Sequence, residues 1–188
     1  MTSSYSELLS AAKEHPETAD FTALRLAFTT TDAYNPNLSP DPSIGKLFRE
    51  NKVEAAVEAV GKSLEQNYIK IQTHMMAADV YRKLNLETKV AYHGTWVTGL
   101  LRSIFDSGNG RSFETAFVVI ETGEEYALLG VLGAQLTRQS LVQHDRHQFD
   151  VMDVTNAKTG QALRMYFNID TPMKWLVQNR SRKHFGTS

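Results

Sequence analysis

The sequence predicts an α+β protein, in which an N-terminal helical layer is followed by a C-terminal antiparallel β-sheet of about four strands. Apolar residues recur at spacings of three and four as far as residue 106, which is typical of amphipathic helices. Gly108-Asn109-Gly110 then closes the helical part. Beyond it, runs rich in β-branched and aromatic residues alternate with turn residues, as they do in antiparallel sheets.

Length and composition favour one folded domain. The chain has 188 residues, of which 41% are hydrophobic and 22% charged, as in ordinary globular proteins. We predict a single domain over residues 1–188, with a helical part at 1–107, a mainly β part at 108–178 and a tail at 179–188. The tail holds the one basic run, residues 179–184, which we interpret as a solvated terminus.

Charge and cysteine content exclude several functions. Twenty basic and twenty-one acidic residues leave a net charge of −1, so we expect no nucleic-acid partner. The absence of cysteine excludes disulfides, thiolate metal sites and cysteine nucleophiles. We predict no cofactor and no metal. No stretch approaches the roughly 20 apolar residues that cross a membrane, so we expect a cytoplasmic protein without a membrane partner, although a secreted chain after signal cleavage would look the same.

The first helices are short and are followed by a loop. Apolar spacing predicts two helices interrupted near Pro16. Residues 32–42 contain three of the five prolines and predict a long loop, because proline fixes its own φ and restricts its neighbour. Ser43 is predicted to cap the helix that follows.

Three further helices are predicted between residues 52 and 106, with breaks at Asn67-Tyr68 and at Asn85. Short connections make neighbouring helices antiparallel, and asparagine tolerates the left-handed conformation that ends a helix. Their apolar stripes are Val53, Ala56, Val57, Val60 and Leu64; Ile71, Met75, Ala78 and Tyr81; and Val90, Val97, Leu101 and Ile104.

The strands are predicted from β-rich runs bounded by turns. They are residues 116–120, 136–142, 148–154 and 161–169, and the turn at 156–160 makes the last two the clearest hairpin. Residues 124–132 have the composition of a short helix, which Gly130 and the following Gly133 weaken. A final helix is predicted from Pro172 to Gln178.

The helical segment at residues 51–106 resembles tetratricopeptide repeats. Residues 51–56 align with 85–90 at a spacing of 34, the length of such a repeat. In this alignment Ala78 takes the small-residue position and Tyr81 the aromatic position of the first helix. The segment covers one and a half repeats, so the resemblance implies helices that pack on the sheet rather than a free-standing solenoid.

The whole chain also resembles a bacterial family of a domain of unknown function, from about residue 21 to 176. The resemblance implies a shared fold and supplies no activity. The matching motifs are Ala33-Tyr34-Asn35-Pro36, the run from Gly99 to Ile104, Ser107-Gly108-Asn109-Gly110, Glu124-Glu125-Tyr126, the run from Phe149 to Val154 and the run from Tyr166 to Asp170.

The densest cluster of groups that bind metals or move protons is His144, His147, Asp150 and Asp153. Alternation along a strand would place His147 and Asp153 on one face and Asp150 on the other. We therefore interpret the cluster as a polar hairpin with an exposed strand face. We likewise interpret Glu124-Glu125 as part of a solvated loop, and His74 and His93 as core histidines.

A partner-binding face is predicted on the middle helix of the repeat-like segment. Gln72, Met75, Asp79 and Arg82 would lie along its concave side, where polar groups surround a flexible apolar contact. The sheet or the proline-rich loop could equally cover this face.

The leading hypothesis is a non-enzymatic protein-interaction domain that binds another protein or a peptide, as an adaptor, an accessory protein or a toxin-neutralising (immunity) protein. Repeat-like helices, a balanced charge and the lack of a recognisable catalytic constellation favour it. The alternative is a small enzyme, metal-assisted or metal-free, with its site on the C-terminal sheet around the His144 cluster.

Overall fold

The computed structural model describes residues 3–185, with side chains as far as Asn179. The helices of the first part are α1 (Tyr5–Glu14), α2 (Phe21–Phe28), α3 (Pro42–Arg49), α4 (Val53–Gln66), α5 (Ile71–Lys83) and α6 (Glu87–Phe105). They are followed by β1 (Phe117–Val118), α7 (Thr122–Val131), β2 (Ala134–His144), β3 (His147–Asn156), β4 (Ala162–Asn168) and α8 (Asp170–Phe185). The predicted α+β class, with most helices before a four-stranded sheet, is confirmed.

The described residues form two compact units. The first comprises the chain as far as Tyr34 together with Leu38–Ser103, and the second comprises Asn35–Asn37 together with the chain from Ile104 onward. The division falls near the end of α6, close to the predicted end of the helical part at residue 107. The single domain over residues 1–188 stays a prediction.

Helix α3 begins at Pro42, and its N-cap residue lies two positions before the predicted one. Asp41, not Ser43, is the N-cap residue, because an Asp41 carboxylate oxygen accepts a hydrogen bond of 2.8 Å from the Ser43 backbone N–H. This bond lowers the pKa of Asp41. Pro42 occupies the first helical turn, where a missing N–H leaves no intrahelical bond unmade.

Helix α5 buries two members of the predicted stripe, Ile71 and Tyr81, but not the other two. His74, Ala77 and Tyr81 lie on the buried face, whereas Met75 is 37% exposed and Ala78 is partly exposed. The small residue in the packed core is therefore Ala77, one position before the residue that the repeat alignment selects. The core of this helical unit is built from Ile44, Val53, Ala56, Ala59, Val60, Leu64, Ala77, Val80 and Tyr81.

Both predicted breaks between the helices are present, but only one has a left-handed residue. Asn85 has a φ of 56°, as expected for asparagine after a helix. Asn67 is extended, with a φ of −149°, and its side-chain oxygen accepts a hydrogen bond from the Ile69 backbone N–H at 3.1 Å. At this break the chain turns with the help of the Asn67 side-chain hydrogen bond, and Asn67 itself is not left-handed.

The sheet of the second unit has the strand order β1-β4-β3-β2. β2 pairs with β3 and β3 with β4 in antiparallel register, as predicted, and β1 pairs with β4 in parallel. The sheet is therefore mixed rather than wholly antiparallel. β1 and β4 are separated in sequence by α7 and two strands, and such a crossover allows parallel pairing where a tight hairpin does not.

Alternation along β3 determines what each face of the sheet presents. Asp150 pairs with Leu141 on β2 and with Phe167 on β4, so these three residues share one face. Phe149 pairs with Val142 and lies on the other face. α7 packs against β2, and α8 packs against β3.

The final helix is longer than predicted. α8 begins at Asp170 and continues past Gln178 to Phe185, because no glycine or proline lies between Pro172 in its first turn and Gly186. The side chains of the predicted basic tail beyond Asn179 lie outside the described residues. In the part of the chain that the structure describes, no helix is both long enough and apolar enough to span a membrane.

Candidate functional site

The first turn of α7 buries acidic side chains. Glu121 is its N-cap residue, and Glu121, Glu124 and Glu125 are each 3% exposed or less. Positions 121, 124, 125 and 128 occupy one helical face at the spacing that apolar residues normally fill, and Leu128 completes that face. Glu124 and Glu125 are therefore part of a buried helix, and their interpretation as a solvated loop is wrong.

Glu124 has a structural partner in its own turn. One of its carboxylate oxygens accepts a hydrogen bond of 2.8 Å from the Ile120 backbone N–H. This contact satisfies a backbone donor one residue before the N-cap residue, next to the donor that a glutamate at this position satisfies in a capping box. Glu124 thus stabilises the start of α7 and positions the residue that follows it.

Glu125 faces the carboxyl group of Asp150 across the space between α7 and β3. Burial raises the pKa of Glu125 to about 9, with further contributions from the charge of Asp150, a hydrogen bond to Asp150 and the charge of Glu124. Burial also raises the pKa of Asp150. Because two carboxyl groups share a hydrogen bond only when one is protonated, Glu125 holds the proton at neutral pH and donates it to Asp150.

A polar chain from β2 orients Asp150. The Tyr126 hydroxyl donates to Gln139 Oε1 at 3.0 Å, and Gln139 Nε2 donates to Asp150 Oδ2 at 2.8 Å. The first contact fixes which end of the Gln139 amide carries the donor. The Gln139 amide therefore holds one oxygen of Asp150 in place while Asp150 faces Glu125.

These groups line a cavity of about 260 Å³ in the second unit, which we call the carboxyl pocket. Its polar lining consists of Asn37, Thr122, Glu125, Gln139 and Asp150. Its apolar lining consists of Leu141, Ile169, Pro172, Met173 and Leu176. Glu125 and Asp150 make one end of the pocket acidic. Most of the apolar wall comes from α8 and from Ile169, the residue before it.

One buried atom in the carboxyl pocket has no donor. Glu125 Oε2 makes no hydrogen bond with any donor among the described residues, although Glu125 is only 1% exposed. Buried polar atoms are hydrogen-bonded in the great majority of cases. An unsatisfied carboxyl oxygen beside a cavity, with a raised pKa, marks a candidate binding or catalytic site.

The predicted His144 cluster does not converge. The strand register puts His144 opposite His147, and Asp150 on the other face from His147 and Asp153. Among the described residues, no group of three or more histidine, aspartate or glutamate side chains is arranged to hold a metal ion.

Three members of the cluster have structural partners elsewhere. His147 Nδ1 lies 2.5 Å from Asp170 Oδ2, and Arg164 Nε donates to Asp153 Oδ1 at 2.6 Å. The ring of His144 stacks on Phe113, with 4.2 Å between the ring centroids. Asp150 alone belongs to the carboxyl pocket.

The predicted partner face on α5 is largely exposed. Met75, Asp79 and Arg82 are exposed and Gln72 is partly buried, and Arg82 Nη1 lies 2.5 Å from Asp79 Oδ1. A cavity of about 170 Å³ between α3 and α5 adjoins Asp79. Its apolar lining includes Ile44, Phe48, Met76 and Val80.

The fold and the pocket together define an α+β protein that combines a helical unit with a second unit built on a mixed four-stranded sheet and containing a buried carboxyl pair. The chain belongs to the family described as "Domain of unknown function (DUF4919)", which matches residues 2–177. No significant match is found among curated proteins or among solved structures.

Proposed function

We propose that the chain is a non-enzymatic protein-interaction domain that holds its partner at the carboxyl pocket. The observation that carries this proposal is Glu125, whose side chain lines an open cavity while its buried Oε2 has no donor among the described residues. Adaptor, accessory and toxin-neutralising roles are all forms of such binding.

The surroundings of the pocket favour a protein as the ligand. Leu141 lines the pocket and is 60% exposed, which suits a surface that a partner covers. Leu141 lies on β2, the outer strand of the sheet, and no other strand of the described residues pairs with its outer edge. A free edge supplies backbone donors and acceptors to an added chain.

The test is affinity purification from the native host with tagged wild type and two leucine variants. Leu141→Asp changes the pocket, and Leu163→Asp is the matched control, because Leu163 is 48% exposed on β4 and does not line the pocket. We expect a stoichiometric partner with wild type and with L163D. We expect L141D to weaken its affinity at least tenfold, which corresponds to about 1.4 kcal/mol.

Two outcomes would overturn this assignment. One is the absence of any stoichiometric partner. The other is a partner that L141D retains and Met75→Glu loses, since Met75 lies on the predicted face of α5. That second result would favour the α5 face and the cavity beside it, which stay a proposed partner site.

Acid–base catalysis is a second candidate function, favoured by the pairing of a protonated Glu125 with an ionisable Asp150 in a cavity. Such a pair supplies a proton donor and a proton acceptor at one place. Glu125→Gln keeps the shape and the hydrogen bond but cannot release a proton. A hydrolytic activity found in substrate screens and abolished by E125Q would favour the enzyme; an activity unaffected by E125Q would argue against it.

A further inference from the structure

Among the described residues that line the carboxyl pocket, none is basic. Burial and the carboxyl groups of Asp150 and Glu124 account for the shifted pKa of Glu125, and burial, Gln139 and Glu125 account for that of Asp150. No basic side chain in the described part of the chain contributes to either shift. The pocket therefore repels an anion and attracts a cation.

The opposite wall of the pocket is apolar. Leu141, Met173 and Leu176 contribute aliphatic surface within the same cavity as the two carboxyl groups. A ligand that satisfies both ends has an aliphatic stem and a charged donor group at its tip. Lysine and arginine side chains have this construction, and they bury their stems while the head finds a polar partner.

The volume of the pocket limits the size of the ligand. A cavity of about 260 Å³ has room for roughly nine water-sized groups at about 30 Å³ each. This is slightly below the range of pockets that hold drug-sized ligands, about 300–1,000 Å³. A single long side chain fits this space better than a nucleotide or an oligosaccharide does.

We propose that the carboxyl pocket takes a lysine or arginine side chain of the partner protein, whose cationic head binds between Glu125 and Asp150. This inference rests on the proposed protein-binding function of the same pocket. The head donates hydrogen bonds to Glu125 Oε2, the buried oxygen that no donor satisfies in the described residues. Charge-assisted bonds of this kind are the strong ones.

Binding exchanges a cation for a proton. Before binding, Glu125 is neutral and Asp150 is ionised, so the pair carries one negative charge. The incoming ammonium or guanidinium group stabilises both carboxylates, and the Glu125 proton passes to solvent. The bound site then holds two negative charges and one positive charge, and one proton has been released.

The inference is tested with two small probes on the full chain at pH 7.5. N-acetyl-lysine methylamide carries the cation, and N-acetyl-norleucine methylamide has nearly the same stem without it. Binding is followed by the NMR signals of the Gln139 side-chain amide, which contacts Asp150 directly. Proton release is measured by calorimetry in two buffers of different ionisation enthalpy.

We expect the lysine probe to bind at least tenfold more tightly than the norleucine probe and to release up to one proton. Glu125→Gln should weaken lysine binding at least tenfold and abolish the proton release. Asp153→Asn is the matched control, because this carboxylate lies on the same strand but outside the pocket, and it should change neither quantity.

Three outcomes would overturn the inference. They are equal or tighter binding of the norleucine probe, lysine binding that E125Q leaves unchanged, and no binding of either probe. None of these outcomes decides the proposed protein-binding function. That function is tested separately by L141D, which measures partner binding whatever group of the partner enters the pocket. Partner binding lost by L141D together with a preference for norleucine would assign an apolar anchor to the pocket.

Discussion

His74 and His93 share a buried hydrogen bond, with 2.8 Å between their Nδ1 atoms. His74 Nε2 lies 2.7 Å from the carbonyl oxygen of Tyr68 and carries the hydrogen, because a carbonyl only accepts. His74 Nδ1 is then the acceptor, and His93 Nδ1 is the donor. Both rings are neutral in this arrangement. Burial lowers the pKa of His74 to about 3 and that of His93 to about 4.

The histidine pair predicts a loss of stability in mild acid. The unfolded histidines bind a proton near pH 6.5, whereas the folded ones do so only near pH 4 and below, and Lys89 further disfavours the charged form of His93. The free energy of unfolding should therefore decrease as the pH falls from about 6.5 to 4, by up to about 1.4 kcal/mol per pH unit for each histidine. Urea denaturation at pH 7, 6 and 5 measures this slope.

His93→Gln provides the variant for this prediction, because a glutamine amide can still donate to His74 Nδ1. It should reduce the slope of stability against pH. His15→Gln is the control, since the side chain of His15 is 71% exposed, and it should keep the wild-type slope. An H93Q protein with the wild-type slope would show that the pair does not carry the acid sensitivity.

The burial of Glu125 predicts a loss of stability as the pH rises, which is opposite to the effect of the histidine pair. Its carboxyl group ionises near pH 4.5 when unfolded but near 9 when folded, so the fold favours its protonated form. The stability that Glu125 contributes is complete below about pH 4.5 and is lost as the pH rises toward 9. The difference in free energy of unfolding between E125Q and wild type should therefore grow in favour of E125Q as the pH increases.

Urea denaturation of wild type and E125Q at pH 5.5, 7 and 8.5 measures this difference. Because both proteins contain the same histidines, the histidine contribution cancels when the two free energies of unfolding are subtracted. Asp153→Asn is the control and should show no comparable trend. A difference between E125Q and wild type that stays constant with pH would mean that Glu125 titrates normally in the fold.

Two glycines of α6 predict opposite effects of the same substitution. A methyl group at Gly99 would lie 2.1 Å from a ring carbon of Phe21, whereas one at Gly94 would meet nothing within 4 Å. Phe21 is buried and packs edge-on against Trp96, so it has little room to move. Gly99→Ala should destabilise the protein by about 1–3 kcal/mol, and Gly94→Ala should stabilise it by about 0.5–1 kcal/mol.

Urea denaturation at one pH measures both glycine variants. Because both positions lie in the same helix, the gain in helix propensity is common to them and the contrast isolates the contact with Phe21. Equal effects of G99A and G94A would show that the packing at Gly99 is loose.

The secondary structure was largely predictable because periodicity and turn residues are local signals. The predicted 148–154 and 161–169 strands pair as β3 and β4, and Asn85 ends a helix in the left-handed conformation. Local signals failed where a competing contact decided the outcome. Asp41 precedes Ser43 as the cap of α3, and the parallel pairing of β1 depends on a crossover that no local pattern encodes.

The site was predictable only in part. The sequence identifies Asp150 as a candidate residue, and strand alternation correctly predicts its separation from His147. The sequence places Glu125 in a solvated loop, because adjacent acidic residues do not by themselves share a face of a helix or a strand. The signal for its burial is its position three residues before Leu128, a spacing that places both residues on one face of a helix. Its pairing with Asp150 joins α7 to β3, and one sequence alone does not reveal such a tertiary contact.

The most direct test of the central claim is the titration of the Glu125 carboxyl group by NMR. The carboxyl carbon of Glu125, assigned by comparison with E125Q, should show a titration midpoint above pH 7, because the group is buried and shares its proton with Asp150 in the carboxyl pocket. A midpoint near the ordinary value of 4.5 would mean that Glu125 is ionised at neutral pH, and it would contradict the account of the pocket as a protonated pair that exchanges its proton for a basic side chain.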